Sequence, residues 1–516
     1  MNKDKWHTVL DSGQPADIGL LLEGTYPLVS GGVSSWVHQI INGFPQFTFS
    51  LIFLGGAREH YGEYKYPLPD NVVHLEKHYL MDRPSLSKPR PRKGREDLGP
   101  QIAELHESLH RLHGGDLNDL LMALVREMGR PKGLDLETFL HSRQSWSLIS
   151  DSYTRYCTEP SFVNYFWTVR IMHGPLFRLA AMAAAIPPVR ALHSISTGYA
   201  GFLAMLLKYQ RGLPFILSEH GIYTKERKID LARAEWIDDP REAFGSTLDA
   251  DVSYIRRLWI RFFEGVGRLT YQAADPIVSL YEGNRIRQIQ DGAKPTRTQV
   301  IPNGIDLDRF VPLRKLRPAG VPPILALIGR VVPIKDIKTF IRAMRTICNT
   351  LPEAQGWLVG PEDEDPSYAD ECRALVRNLD LQENIKFLGF QKVEDIFRQI
   401  GLLVLTSISE ALPLVILEGY ASGVPAVATD VGACRELIEG GRPEDQALGR
   451  SGAVVPIANP EATARAALPL LQDENAWRAA QQAAIQRVET YYTQTGMFDQ
   501  YRKLYHQALP QLEEAC

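Results

Sequence analysis

The sequence predicts an α/β fold of two Rossmann-like, doubly wound domains, the first carrying a long helical insertion. Three observations predict it. Short apolar runs of strand length alternate with helical periodicity in both halves of the chain. The alternation stops near residue 81 and resumes near 189, with helical patterning between. The chain has 516 residues, more than one ordinary core holds, so at least two domains are required. The expected boundaries are 1–310 and 311–490, with a last helical segment over 491–516. The basic, proline-rich VPLRKLRPAGVPP that starts at Val311 reads as the linker.

Composition narrows the function classes. Apolar residues make up 44% of the chain, and 57 Lys plus Arg stand against 61 Asp plus Glu. That balance supports globular packing and gives no electrostatic reason to expect nucleic acid. An anionic ligand would need a local cluster of cations. Five cysteines without CxxC or metal-like spacing suit a reducing compartment. The opening MNKDKWHTVLDSGQPAD has no apolar leader core, and no run approaches the ~18 apolar residues of a membrane span. The expectation is a cytosolic protein, at most peripheral to a membrane.

In the first domain, Asp17–Glu23 is a buried-strand pattern. It is followed by Gly31, Gly32 and the helical SSWVHQIING. A glycine pair between strand and helix suits close approach of a ligand to backbone, and a plain βα turn accounts for it as well. It is not a GxGxxG fingerprint. Strands follow at Phe47–Leu54 and in NVVHLEKHYL. The insertion opens with six Lys or Arg between Arg83 and Arg95, read as a solvated loop in preference to a docking site for an acidic partner. Its later stretch YFWTVRIMHGPLFRLAAMAAAIPP is broken by Arg170, His173 and Arg178, so packing is expected there, not a membrane span. Strand patterning resumes at Val189–Ser194 and again before Ser218-Glu219-His220-Gly221. His193 and His220 therefore stand at the carboxyl ends of neighbouring strands, where ligands collect in open α/β sheets. Structural hydrogen bonding is the ordinary role of such a histidine; two at one edge raise the weight of a functional one. The charged YTKERKIDLARAEW reads as a loop beyond them.

The second domain starts at the strand Ile324–Ile328. Gly329, Arg330 and VVPIKD precede a helix whose Ile337, Phe340, Met344 and Ile347 share one face. Arg330 and Lys335 thus bracket a loop at a strand's carboxyl end, where two cations suit a diphosphate leaving group. The acidic PEDEDP loop is read as solvated and not as a metal site. Ile400–Cys434 reads as strand, turn, helix, strand. Glu410 falls in its loop, Pro413 suits a first helical position, and the amides of Leu414 and Val415 suit an anion. Glu418 lies on the helix and can face the same ligand. At the end of the chain, Phe498, Tyr501 and Tyr505 form a packing stripe.

Glu410 and Glu418 in E-x7-E, followed by A-S-G-V-P-A-V-A-T-D-V-G, resemble the donor-sugar motif of the retaining family-four glycosyltransferases of the GT-B fold. S-E-H-G, G-R-x-x-x-x-K and I-P-N-G-I-D match that family's pattern as well. The resemblance implies two domains facing a cleft and a last helix crossing back to the first. It implies a UDP-sugar donor with its diphosphate on Arg330, Lys335 and the amides of Leu412, Leu414 and Val415. Glu418 would take the ribose hydroxyls and Glu410 a sugar hydroxyl. Gly31 and Gly32 would lie beside the donor phosphate and acceptor, and His220 beside the transferring sugar, whereas His193 matches a less functional position. It implies no metal and no other cofactor.

Two positions depart from the family: Asp336 stands where glycine is usual, and Pro413 lacks an N–H. With EGTYPLVSGGVSSWVHQII and the insertion, the chain most resembles the family of bacterial Pel-exopolysaccharide glycosyltransferases. That implies a growing polysaccharide as acceptor and an inner-membrane polysaccharide synthase complex as partner. A sugar-nucleotide epimerase of the same fold, or a non-catalytic subunit that binds nucleotide sugar, would share the donor site.

Overall fold

A computed structural model of the protein describes residues 7–82, 135–158, 161–232 and 253–509, with positions 91, 104 and 127. Apart from positions 91 and 127, the basic stretch Arg83–Arg95 and the GGDLNDLLMALVREMG segment lie outside the described residues, as does the end of YTKERKIDLARAEW. The described part of that charged stretch is the helix Tyr223–Ala232 and not the loop expected from its charge. The chain forms two compact units. One comprises Met1–Ser279, Arg285–Gln299 and Arg502–Cys516, and the other Leu280–Asn284 and Val300–Tyr501.

The first unit is built on eight strands: β1 (His7–Asp11), β2 (Ala16–Glu23), β3 (Phe49–Gly55), β4 (Val72–Tyr79), β5 (Val189–Ser194), β6 (Phe215–Glu219), β7 (Ile277–Ser279) and β8 (Thr298–Val300). Their order is β1-β4-β3-β2-β5-β6-β7-β8. The ladders from β4 through β7 are parallel, and β1 adds an antiparallel edge. Sequence patterning missed β1, whose five residues carry no clear alternation. β2 and β3 are buried almost end to end, as strands covered on both faces must be. The strand order reverses between β2 and β5, so their carboxyl ends frame the ligand crevice of this unit.

The described part of the insertion is helical: Leu136–His141, Arg143–Tyr156 and Phe162–Ala185. Its Phe139, Ile149, Tyr165, Val169 and Met172 join the core of the first unit. Arg178 explains how a cation fits this apolar helix. Its guanidinium donates to the carbonyls of Tyr79, Leu80 and Asp82 at 3.3, 2.7 and 2.6 Å, closing the end of β4. No helix among the described residues is long and apolar enough to cross a membrane.

The second unit has six parallel strands: β9 (Ile324–Ile328), β10 (Gln355–Val359), β11 (Ile385–Gly389), β12 (Leu402–Leu405), β13 (Ala426–Thr429) and β14 (Gly452–Val455). The order is β11-β10-β9-β12-β13-β14. Alternate residues feed two cores: Leu325, Leu327, Leu402 and Val404 on one face, Ala326, Leu403 and Leu405 on the other. Each fully buried leucine contributes about 2 kcal/mol. Here the order reverses between β9 and β12, which places the loops of Arg330 and Glu410 side by side.

The stretch read as a linker is docked on the second unit. Arg314 donates to the Ala421 carbonyl at 2.7 Å and pairs with Glu489, while Arg317 reaches the carbonyls of Phe397 and Ile400. The helix Gln494–Ala508 is divided between the units at Tyr501. Within the first unit, Tyr505 is fully buried and meets Phe44 and Phe47 edge-on at 5.2 and 5.6 Å.

Candidate functional site

The crevice between β9 and β12 is assembled by its own loops. Lys335 closes a short 3-10 turn, and Asp336 after it adopts φ 46°, ψ 53°. This is the left-handed conformation that glycine takes freely and aspartate tolerates. The departure from glycine therefore leaves the loop conformation intact, and the Asp336 carboxylate caps the next helix by accepting from the Thr339 amide at 3.3 Å. Thr406, just past β12, donates to the carbonyls of Lys335 and Asp336 at 2.9 and 3.0 Å. The Ile408 amide donates to the Ile334 carbonyl at 2.9 Å. These bonds tie the two loops together.

Glu410 and Lys335 meet across that seam. The Lys335 Nζ donates to Glu410 Oε1 at 2.5 Å, and the Ser407 hydroxyl donates to the same oxygen at 2.6 Å. Both charged side chains are mostly covered, at 20% and 14% exposure. Behind them, Thr429 at the end of β13 donates to the Ser407 carbonyl at 2.6 Å. Gly432 has φ 55°, and a Cβ there would stand 2.3 Å from the Ala411 carbonyl oxygen. Only glycine lets this backbone support the Glu410 loop so closely.

Arg330 sits at the same strand end, exposed, with one guanidinium nitrogen 2.6 Å from both carboxylate oxygens of Glu364. Glu364 belongs to the acidic loop read as solvated. That reading is corrected for three of its carboxylates, since Glu362 pairs with Arg373 at 2.6 Å and Asp365 caps the next helix by accepting from the Tyr368 amide at 3.0 Å. Arg330 lies at the neighbouring strand's end and Arg373 on the helix that follows the loop, pairings that local sequence does not reveal. No cluster able to hold a metal ion occurs among the described residues.

Pro413 is the N-cap of the helix Leu414–Ala421, with ψ 107°, one position before the first helical place expected for it. The Leu414 and Val415 amides thus lie in the first turn, where the helix supplies no acceptor. Leu412 is buried in the core beneath, so only its backbone is available to a ligand. Glu418, half-buried on the same helix, is pushed up to about 7 by burial; nearby Arg309 opposes the shift and Glu394 adds to it. Arg309 pairs with Glu394 at 2.5 Å. At the end of β11, Gly389 turns with φ 62°, and Phe390 after it stands 81% exposed. Ser407, Arg309, Glu394 and Phe390 were not singled out from sequence; only the exposed aromatic beside a strand-end glycine offered a signal.

In the first unit, Gly31 caps the helix Gly32–Gly43 with extended backbone. A Cβ at Gly31 or Gly32 would meet nothing within 4 Å. Neither packing nor dihedral strain demands glycine here, and the helix start lies open to an approaching group. Trp36 on that helix meets the rings of His220 and His193 edge-on at 4.6 and 5.9 Å.

The two histidines differ. His193 is wholly buried and does not face the crevice: it bonds Tyr505 Oη at 2.9 Å and Ser218 Oγ at 2.8 Å. His220 is nearly buried, and its Nε2 has no hydrogen-bond partner among the described residues. Burial lowers His193 to about 3, with His220 nearby adding to the shift, and lowers His220 to about 4. Both are neutral imidazoles at neutral pH. Glu219 beside them accepts from Thr197, Tyr271, Gln288 and the Tyr223 amide.

Comparison with known proteins places this geometry. Residues 16–296 match the family described as a domain of unknown function, DUF3492. Residues 322–473 match the family described as glycosyl transferases group 1. The chain is 31% identical to the D-inositol 3-phosphate glycosyltransferase of Kineococcus radiotolerans, over 42% of this chain and 53% of that protein. It is 29% identical to D-inositol 3-phosphate glycosyltransferase 2 of Catenulispora acidiphila, over 48% and 56%. The chain thus spans about half the length of the curated relatives it matches. Among solved structures, sucrose-phosphate synthase of Thermosynechococcus elongatus aligns with TM-score 0.57 at 18% identity, covering 96% of this chain and 100% of that one. HepE of Anabaena in complex with UDP aligns with TM-score 0.55 at 14% identity, covering 95% and 100%. At these identities the likeness establishes the fold, and the α/β GT-B architecture expected from sequence is borne out.

Proposed function

This chain belongs to the DUF3492 domain family and carries a group 1 glycosyl transferase domain, and on that premise we propose that it is a retaining glycosyltransferase. It takes a sugar from a UDP-sugar and adds it to a growing exopolysaccharide of the Pel type at the cytosolic side of the inner membrane, in company with a synthase complex. One observation carries the reading: Lys335 and Glu410 meet at the sheet's switch point, with Arg330 at the same strand end. An enzyme that expels a diphosphate needs cations where charge accumulates on the leaving oxygen and a carboxylate where the sugar hydroxyls lie.

In this reading the incoming diphosphate takes Lys335 and Arg330 from Glu410 and Glu364, and the amides of Leu414 and Val415 complete its shell. Glu410, released, accepts from a sugar hydroxyl and orients the anomeric carbon. Glu418 accepts from the ribose, and Phe390 gives the base an apolar face. The acceptor oxygen attacks from the side the diphosphate leaves, its proton passes to the departing phosphate oxygen, and the configuration is retained. No residue is assigned as a metal ligand, and the reaction is written without a cofactor. His220, neutral and with Nε2 available, suits a sugar hydroxyl better than a phosphate. HepE, solved with UDP and with UDP-glucose, supports uracil as the base.

The test incubates the full chain with a panel of UDP-sugars, with and without oligosaccharide acceptors. Release of UDP with formation of a longer glycan supports transfer. Interconversion of the UDP-sugar without acceptor indicates an epimerase, and binding without turnover indicates a nucleotide-sugar-binding subunit; either would overturn the proposal.

A further inference from the structure

Two helices of the insertion, Arg143–Tyr156 and Phe162–Ala185, bury one side and leave the other uncovered. Inward, Ile149, Tyr165, Val169 and Met172 are core residues. Outward, Val163, Trp167 and Ile171 are 61%, 54% and 48% exposed. They recur every four residues and so form one stripe. Trp146 of the neighbouring helix, 54% exposed, extends the stripe by contact with Phe166 at 5.6 Å between rings. Large apolar side chains grouped in this way mark an interaction face.

Charge says what covers it. The helix Phe162–Ala185 holds no Asp or Glu in 24 residues, and with Arg178 turned inward onto the carbonyls at the end of β4, the two helices carry Arg143, Arg155 and Arg170 against Asp151. Asp135 and Glu137, at the start of the short helix before them, are further acids near this surface. Arg170 lies over the rings of Phe166 and Trp167 at 5.0 and 5.5 Å, and its Nε has no hydrogen-bond partner among the described residues. It also lines a cavity of about 290 Å³ together with Arg143, Ser142 and Ser145, a set of donors suited to a phosphate. Tryptophan beside arginine on one helix face is the composition that settles at a lipid headgroup boundary. A second copy of the same face would bring like charges together.

We propose that this face docks on an anionic lipid surface, with Trp146, Val163, Trp167 and Ile171 entering the headgroup boundary and Arg143 and Arg170 taking a lipid phosphate. The helix lies on the membrane; none of the described helices spans one. The inference does not depend on the catalytic reading, and its failure leaves the nucleotide site untouched.

The test is flotation of the full chain with vesicles of phosphatidylcholine alone or with roughly a third phosphatidylglycerol. The protein floats with the anionic vesicles and not with the neutral ones, and raised salt weakens the association. The double variant Trp167→Glu, Ile171→Glu loses binding by about tenfold or more while keeping its helical circular dichroism and thermal midpoint. The variant Arg143→Gln, Arg170→Gln loses the preference for anionic vesicles. Equal flotation with neutral vesicles, unchanged binding by both variants, or failure to float would overturn the proposal. So would release from vesicles by glycerol 3-phosphate, which points to a soluble phosphate ligand, or a dimer that Trp167→Glu dissolves.

Discussion

Both sheets open a crevice where their strand order reverses, and the two are filled with opposite chemistry. In the second unit the crevice holds paired charges: Lys335 with Glu410, Arg330 with Glu364, and Arg309 with Glu394. In the first it is bordered by His220, an imidazole kept neutral by burial, with His193 and the Glu219 carboxyl buried behind it, the latter's pKa raised by burial despite four hydrogen bonds. The difference teaches what each crevice can receive. Charges that already have partners can exchange them for a diphosphate at little cost, because the ion pair lost is replaced by another. Neutral donors and acceptors suit hydroxyls, and gain nothing from an anion.

The comparison is broken most severely at Glu410. Glu410→Gln is expected to slow sugar transfer by about 10²–10³-fold while UDP binds as well as before or better, measured by turnover and calorimetry on one preparation. Equal loss of binding would make Glu410 part of the phosphate site instead.

Next in size is the structural role of His193. His193→Ala leaves Tyr505 and Ser218 without their buried partner, and a loss of about 2–4 kcal/mol is expected in denaturant unfolding, with UDP affinity unchanged. The same burial sets an acid limit. The histidine pKa values near 3 and 4 lie below the unfolded value of about 6.5, so the unfolded chain binds more protons in between. Stability therefore falls as pH drops from about 6.5 towards 4, and pH-dependent melting reads it.

Glu418 sharpens the comparison from the other side. Its carboxyl is pushed up to about 7, so it is protonated below that pH and becomes a full acceptor above it. UDP affinity should rise several-fold from about pH 6 to 8, and Glu418→Gln should keep only the part due to the phosphate's own ionisation. The smallest effect is at Glu364. Removing this exposed competitor of the diphosphate by Glu364→Gln should tighten UDP binding about two- to threefold, the scale of a surface ion pair.

What could be read in the sequence was whatever local pattern encodes. Strand–loop–helix periodicity located β9 and β12, and E-x7-E with the trailing glycine turn located Glu410, Glu418 and Gly432. What could not be read depends on neighbours distant in sequence. Glu364 meets Arg330 only because β10 lies beside β9, and Trp36 reaches both histidines only through folding. Asp336 departs from the usual glycine without disturbing the loop because its own side chain, which caps the following helix, offsets the strain of its backbone, and the motif alone does not show that compensation. The docked arginines of the supposed linker were missed because proline and basic residues look alike in a spacer and in a strap bonded to carbonyls.

The most direct measurement is calorimetric titration of the protein with UDP, GDP and ADP, repeated with Arg330→Ala and Lys335→Ala. The account predicts binding of UDP in preference to the others, weakened about tenfold or more by either substitution, the scale of a charge-assisted hydrogen bond. Binding of UDP that neither substitution weakens, or no binding of any nucleotide, would contradict a diphosphate site between β9 and β12.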